Sequence, residues 1–201
     1  LACPHQCVFC DQRKITGQNV LPSDDEILQT IQSHLATISH VDTEVVLAFF
    51  GGSFTGLDGS SQEHFLKLVQ PLVVSGKIDS IRISTRPDYI TQDILDILKK
   101  YHVKYIELGA QSLDEEVLLK SGRGHLLTHV EEASYLIKQN GFVLGLQMMT
   151  GLPSDTPEKA MQTAQRIVTL GAEETRIYPT LVIQGTALAG LYANGLYSPQ
   201  T

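Results

Sequence analysis

Residues 142–149, Phe-Val-Leu-Gly-Leu-Gln-Met-Met, form the stretch that decides the fold. The segment is almost continuously apolar, which is typical of a parallel strand covered on both faces. Helical patterns flank it: one runs from Thr128 to near Gly141, and Thr156-Pro157 supplies an N-cap and a first-turn proline for the next. The sequence therefore predicts a strand between two helices, the repeating unit of an α/β protein.

The same unit recurs along the chain. Five strands are predicted, at Glu44–Phe50, Asp79–Ser84, Lys104–Leu108, Phe142–Met149 and Thr175–Pro179. Helical patterns fill the intervals, and three capping boxes mark helix starts, at Ser23/Glu26, Ser112/Glu115 and Thr128/Glu131. Such repeats predict a parallel sheet with helices outside. Because the chain opens on a loop, we expect one more strand upstream of Leu1. The fold is then a partial (β/α)6 TIM-like barrel, a single domain over residues 1–201 of a longer protein.

Composition narrows the class of protein. Hydrophobic residues make up 42% of the chain, and no apolar run approaches the roughly 18–20 residues of a membrane helix. A net charge of −7 weighs against a nonspecific nucleic-acid surface, although it leaves RNA open as a substrate. Three clustered cysteines, odd in number, do not form a disulfide framework, so we expect a reducing, cytoplasmic location.

Those cysteines are Cys3, Cys7 and Cys10, spaced C-x3-C-x2-C, and the other positions contain none. Three thiolates on one loop can hold three irons of a 4Fe-4S cluster and leave the fourth iron open for chemistry. Two alternatives remain: three buried free thiols, or a structural zinc with His5 as the nearby fourth ligand. The tight clustering favours the iron–sulfur cluster.

Glycines and polar residues recur where the predicted strands end. In a parallel α/β barrel the active site lies at these carboxyl ends. The residues concerned are Gly51-Gly52-Ser53, Ser84-Thr85-Arg86, Gln111-Ser112, Gln147 with Met149, and Tyr178-Pro179. With the cysteine loop, they predict one shared mouth.

The cysteine spacing, with aromatic Phe9 before the last cysteine and βα units after it, resembles the radical S-adenosylmethionine (SAM) superfamily. The resemblance implies an enzyme in which Cys3, Cys7 and Cys10 carry a 4Fe-4S cluster whose open iron is chelated by SAM. It further implies that one electron, from a donor such as flavodoxin or ferredoxin, cleaves SAM to methionine and a 5′-deoxyadenosyl radical.

Five further segments sharpen the resemblance, namely residues 85–88, 107–112, 123–125, 148–153 and 177–186. Together they resemble the radical SAM domain of the Elongator catalytic subunit and, more loosely, oxygen-independent coproporphyrinogen III oxidase. The resemblance implies that Gly51 and Gly52 meet the methionine amino group, that Arg123 meets the SAM carboxylate, and that Gln111 and Gln147 contact the ribose.

Five more residues complete the expected cofactor site. Met149 is expected against adenine, and Phe9, Ser53, Ser84 and Arg86 are expected to line the site. Ser53 and Ser84 stand where related sequences carry acidic residues, and Gln147 stands where the oxidase has an aspartate.

The substrate is left between alternatives. The Elongator resemblance suggests RNA, specifically tRNA, whereas the oxidase resemblance suggests a coproporphyrinogen III oxidase-like reaction. A protein of a different class, a non-catalytic iron–sulfur or haem-handling module, would keep the cysteine loop without SAM turnover. Gln111 and Arg123 argue against that module, because it has no need for SAM contacts.

Overall fold

Five parallel strands run through the part of the chain that the computed structural model describes, namely residues 3, 5–11, 17, 21–38 and 43–200. The strands are β1 (Val46–Phe49), β2 (Ser80–Thr85), β3 (Val103–Gln111), β4 (Val143–Thr150) and β5 (Glu174–Pro179). They pair in chain order, and every neighbouring pair is parallel. All five predicted strands are confirmed. The sixth, expected upstream of Leu1, lies outside the sequence and stays a prediction.

Helices connect the strands on one side of the sheet. They are α1 (Asp24–Leu35), α2 (Gly59–Val74), α3 (Gln92–Lys100), α4 (Glu115–Lys120), α5 (Leu127–Gln139), α6 (Pro157–Thr169) and α7 (Ala187–Ala193). The predicted capping box at α1 is confirmed, because Ser23 and Glu26 each accept a hydrogen bond from the other's backbone N–H. The predicted Thr156 cap of α6 is also present.

Two predicted capping boxes are wrong, those at Ser112/Glu115 and Thr128/Glu131. At α4 the Asp114 carboxylate accepts the N–H of the residue three positions on, at 2.9 Å, so the cap lies two residues beyond Ser112. At α5 the N–H of Leu126 donates to the Nδ1 atom of His129 at 3.0 Å. A side chain three residues inside the helix therefore satisfies the helix start, a pairing that the capping-box pattern does not include.

The hydrophobic core lies between the outer face of the sheet and the helices. Ile83, Leu108 and Leu146, on three neighbouring strands, are fully buried there against helix residues such as Leu66 and Leu95. Burying a side chain of this size contributes roughly 1.5–3 kcal/mol. Among the described residues, no helix combines the length and apolar character needed to cross a membrane.

The inner face of the sheet is polar, and the sheet is strongly curled. The guanidinium of Arg82 on β2 makes two hydrogen bonds to the carboxylate of Glu174 on β5, although two strands lie between them in the sheet. Only a sheet curved around its inner face brings these side chains together. The predicted partial TIM-like barrel is thus confirmed. The expectation that β4 is covered on both faces is not met, because inward-facing Val143 and Gln147 are only half-buried.

Candidate active site

Two predicted ribose-binding glutamines meet on the inner face. The Nε2 atom of Gln147 on β4 donates to the Oε1 atom of Gln111, the last residue of β3, at 3.1 Å. Gln111 has a φ of +66°, where the β3–β4 register shifts after Gly109. Such a bulge re-aims a side chain, and a left-handed non-glycine residue is strain that clusters at functional sites. The structure thus brings both amides to the mouth of the barrel.

The turn after β1 requires glycine. Gly51 and Gly52 have φ values of +95° and +138°, a region that L-residues rarely adopt. Buried Ser53 follows, and its hydroxyl lies 2.9 Å from the hydroxyl of Thr85 and accepts the backbone N–H of Arg86 at 3.3 Å. Ser53 therefore ties this turn to the end of β2, and the glycine pair can approach a ligand with its backbone.

A cavity of about 970 Å³ opens beside β1. The glycine pair and Ser84 line it, together with apolar residues of α1 and β1 such as Ile27 and Leu47. Its size is that of a small-molecule site, for which about 300–1,000 Å³ is usual. The Ser84 hydroxyl donates to the carboxylate of Glu107 at 3.2 Å, so this predicted lining residue is also held from within the barrel.

Arg86 is buried and acts as a brace. Its guanidinium makes two 2.9 Å hydrogen bonds to the carboxylate of Asp88, and its Nη2 atom donates to the backbone carbonyl of Arg123 at 2.8 Å. Burial alone would raise the pKa of Asp88, but the hydrogen bonds and charge of Arg86 outweigh it and hold that pKa below its usual value. Arg86 therefore positions the segment that carries Arg123.

Arg123 joins the cysteine loop to the end of β3. Its Nη1 atom donates to the Sγ atom of Cys7 at 3.3 Å, and its Nη2 atom donates to the carbonyl of Gly109 at 2.6 Å. Both Arg123 and Cys7 are buried. A rigid guanidinium fork can hold two partners in fixed directions, which a lysine cannot do. The contact places one predicted cluster thiol at the same mouth as Gln111.

Backbone hydrogen bonds hold the cysteine loop on both sides. The N–H of Val8 donates to the carbonyl of Ser121 at 3.0 Å, and the carbonyl of Val8 accepts the N–H of Leu188 at 2.7 Å. The turn from Cys7 to Cys10 is closed by a 3.0 Å hydrogen bond from the N–H of Cys10 to the carbonyl of Cys7, and Phe9 lies in it half-buried. The loop is thus fixed between the residue after α4 and the start of α7.

Gly124 lets the loop come close. Its φ is +75°, and a Cβ atom there would lie 3.0 Å from the Nδ1 atom of His5. The other ring nitrogen of His5 lies 4.0 Å from the carboxylate of Asp88. Residue 124 must therefore be small, because a side chain would push His5 and its loop away.

Buried polar atoms without a partner lie near this contact. Within the described part of the chain, the buried Nη1 atom of Arg86, Nε atom of Arg123 and both ring nitrogens of His125 have no hydrogen-bond partner. Burial, followed by the charges of Arg123 and Arg86, lowers the pKa of His125 to about 3, so the ring is neutral near pH 7. The unused guanidinium donors of Arg86 and Arg123 cost about 1–3 kcal/mol each, which an anionic ligand would recover.

The three cysteines share one loop. No disulfide joins them, and the described residues contain no group of three or more His, Cys, Asp or Glu side chains placed to hold a metal ion. The donor set still fits a 4Fe-4S cluster: three thiols share one loop, and a buried guanidinium faces one sulfur.

Sequence reasoning missed the charged cluster inside the barrel. The carboxylate of buried Glu107 forms ion pairs with Arg176, at 3.1 Å from its Nη2 atom, and with Arg82, at 3.8 Å from its Nη1 atom. Polar residues at every second position of β2 and β5 are the signal that could have revealed it, because alternate residues share one face of a strand. Met149, predicted against adenine, lies half-buried on β4.

Comparison of the sequence with known proteins agrees with the family resemblance of its motifs. The model of the radical SAM superfamily matches residues 1–167. A tRNA uridine(34) acetyltransferase of Dehalococcoides mccartyi is 25% identical over 99% of the chain and 50% of its own length. Elongator complex protein 3 of Saccharomyces cerevisiae is 32% identical over 81% of the chain and 33% of its own length. The chain thus spans about half or less of the length of these relatives.

Solved structures share the fold. The archaeal Methanocaldococcus infernus Elp3 with an N-terminal deletion superposes with a TM-score of 0.73 at 24% identity, over 88% of this chain and 45% of that one. Coproporphyrinogen III oxidase from Escherichia coli, a radical SAM enzyme, gives a TM-score of 0.66 at 20% identity, over 98% of this chain and 45% of that one. At these identities the likeness concerns the fold alone.

Proposed function

The chain belongs to the radical SAM superfamily, and on this premise we propose that it is the radical-generating part of an enzyme that modifies uridine in tRNA. Membership and the named relatives support an enzyme, and the reaction class and the substrate are part of the proposal. The observation that carries it is the contact of Arg123 with Cys7 and Gly109, beside the Gln111–Gln147 pair. One mouth then holds a thiol ligand, a fixed guanidinium and two amides.

In this proposal the thiolates of Cys3, Cys7 and Cys10 hold the 4Fe-4S cluster. When bound, the cluster and SAM supply reductive cleavage of SAM to methionine and a 5′-deoxyadenosyl radical, with the electron from a donor such as flavodoxin or ferredoxin. The guanidinium of Arg123 orients the loop by holding Cys7. Its buried position keeps water from that sulfur.

The remaining predicted residues bind and orient SAM. The backbone at Gly51 and Gly52 approaches the methionine amino group, and Arg123 offers donors to the carboxylate. Gln111 and Gln147 hydrogen-bond the ribose hydroxyls. Met149 packs against adenine. The lining residues Phe9, Ser53, Ser84 and Arg86 shape the site, and no side chain here needs to act as a general base.

The tRNA substrate is supported by two relatives whose names concern tRNA uridine and Elongator, although the chain covers only part of each. The coproporphyrinogen-type reaction has only the likeness of fold behind it. A cytoplasmic enzyme acting on RNA is consistent with the clustered thiols. We therefore place tRNA first.

The test compares RNA substrates in the full-length protein. The protein is reconstituted anaerobically with iron and sulfide and mixed with SAM and dithionite. 5′-Deoxyadenosine is then quantified with a tRNA transcript carrying uridine at the wobble position, with the same transcript carrying cytidine, and with coproporphyrinogen III. We expect only the uridine transcript to accelerate formation and to be consumed. Acceleration by coproporphyrinogen III instead, or an equal response to both transcripts, would exclude the proposed substrate.

A further inference from the structure

Three side chains form a surface on the inner face beside the proposed SAM site: Phe50 lines the cavity next to the glycine pair, and Tyr178 pairs in register with Met149. Phe50 follows β1, and Arg176 and Tyr178 lie on β5. Although β1 and β5 are the two edges of the sheet, the Cζ atom of Arg176 lies 5.0 Å from the centre of the Phe50 ring. Curling of the sheet thus joins its first and last strands through this contact, here called the inner platform (Phe50, Arg176 and Tyr178).

Two contacts hold the guanidinium of Arg176 in place. Glu107, buried with its side chain only 5% exposed, forms an ion pair with Arg176, whose Nη2 atom lies 3.1 Å from its carboxylate. The Nη1 atom of Arg176 donates to the Tyr178 hydroxyl at 3.4 Å. Glu107 is itself held by the Ser84 hydroxyl. A guanidinium held at both ends presents a rigid flat face with little conformational entropy to lose on binding.

Both aromatic side chains of the platform are exposed. Phe50 is 52% exposed and Tyr178 is 40% exposed, whereas Leu108 and Leu146 on the strands between them are fully buried. A smaller cavity of about 350 Å³ adjoins it, lined by Glu107, Arg176 and others. An exposed aromatic ring beside a guanidinium plane is the chemistry that stacks on flat rings.

We propose that the inner platform binds the base of the target nucleotide by stacking, with RNA presented as a single-stranded loop. This inference rests on the proposed function, because it names the place where that substrate binds. A base within a duplex cannot offer its face to the interior of a barrel, whereas an unstacked loop base can. Gln147, which the proposed function assigns to the SAM ribose, pairs in register with Arg176, so a base on the platform would lie beside the SAM site.

The test uses an anticodon stem-loop RNA and the same RNA with an abasic site in place of the target uridine, both bound to the full-length protein. Stacking of one base is expected to make the uridine RNA bind about 5- to 150-fold more tightly. Phe50→Ala should abolish that difference by weakening only the uridine RNA. Phe50→Leu keeps apolar volume without a ring, and it should behave in the same way. Arg176→Lys should lower the ratio as well.

Tyr135→Ala serves as the matched control, because Tyr135 is an exposed aromatic on α5. It should leave both affinities unchanged. A wild-type protein that binds the two RNAs equally, or that binds neither, would overturn the platform, as would an unchanged ratio in Phe50→Ala and Phe50→Leu. Binding of neither RNA would count against the proposed function as well, whereas equal binding of both RNAs would overturn the platform alone.

Discussion

Replacing Arg86 by methionine tests whether a buried ion pair supports the active site. Arg86→Met keeps a similar length of side chain, but it leaves the Asp88 carboxylate without its two 2.9 Å hydrogen bonds and the carbonyl of Arg123 without its donor. Removing one partner of a buried pair costs about 3–5 kcal/mol. The unpartnered Nη1 atom of Arg86 disappears in exchange, which returns about 1 kcal/mol or more. We therefore expect a net loss of about 2–4 kcal/mol.

The assay is urea unfolding at neutral pH, with Asp88→Asn and the double variant completing a cycle. Because Asp88→Asn removes the charge that Arg86→Met strands, the double variant should lose less than the sum of the single losses. Lys67→Met is the matched control, since Lys67 pairs with Glu63 across one turn of α2 at the surface. It should change the free energy of unfolding by no more than about 0.5 kcal/mol.

A second readout connects the ion pair to the cysteine loop. If Arg86 positions Arg123, then alkylation of Cys7, which is 5% exposed, should become faster in Arg86→Met when followed by peptide mass spectrometry under native conditions. Lys67→Met should leave that rate unchanged. A loss below about 1 kcal/mol, or strictly additive effects in the cycle, would refute the reasoning that this pair is a structural brace.

Three further predictions concern the same mouth. Gly124→Ala should lower the free energy of unfolding by about 1–2 kcal/mol because of the positive φ, and it should also lower iron incorporation by displacing the imidazole of His5. The control Gly76→Ala has a similar φ but open space, so it should lose stability alone. Equal iron content in the two variants would contradict this. The pKa of His125 is about 3 in the folded protein, against about 6.5 in the unfolded chain. The stability that depends on a neutral buried ring is therefore fully present above pH 6.5 and is lost as pH falls. The free energy of unfolding should then drop by up to about 1.4 kcal/mol per pH unit, and His125→Gln should reduce that slope in urea titrations; an identical slope would count against a neutral buried ring. Gly109→Ala places a Cβ atom 2.9 Å from the Gln111 amide. It should raise the Kd for SAM about fivefold, because displacing the amide loses roughly 1 kcal/mol of hydrogen bonding. An unchanged Kd in calorimetry would contradict this.

Local signals predicted most of the fold. Apolar runs and helix periodicity located every strand of the described residues, because burial against helices dictates those residues one segment at a time. Capping was less predictable, since Asp114 and His129 make bonds that depend on where the chain leaves the preceding strand or turn. Coverage of β4 was overestimated for a related reason: an apolar run does not say whether the inner face of a barrel is filled.

The site was predictable as residue types but not as contacts. The cysteine spacing and the glycine pair carry their chemistry in sequence. In contrast, the hydrogen bond of Arg123 to Cys7 joins residues 116 positions apart, and no local pattern encodes it. Arg86 could be expected at the mouth, yet its pairing with Asp88 and its hold on the Arg123 carbonyl depend on how the strand ends pack. The cluster around Glu107 appears only once the sheet is curled.

The most direct test of the central claim is anaerobic and needs no substrate. The full-length protein is reconstituted with iron and sulfide and mixed with SAM and dithionite, and 5′-deoxyadenosine is quantified beside a Cys7→Ala variant. The account predicts 5′-deoxyadenosine from the wild type and none from the variant. A well-formed cluster that binds SAM poorly and yields no 5′-deoxyadenosine would contradict it, and would favour a non-catalytic metal-binding module.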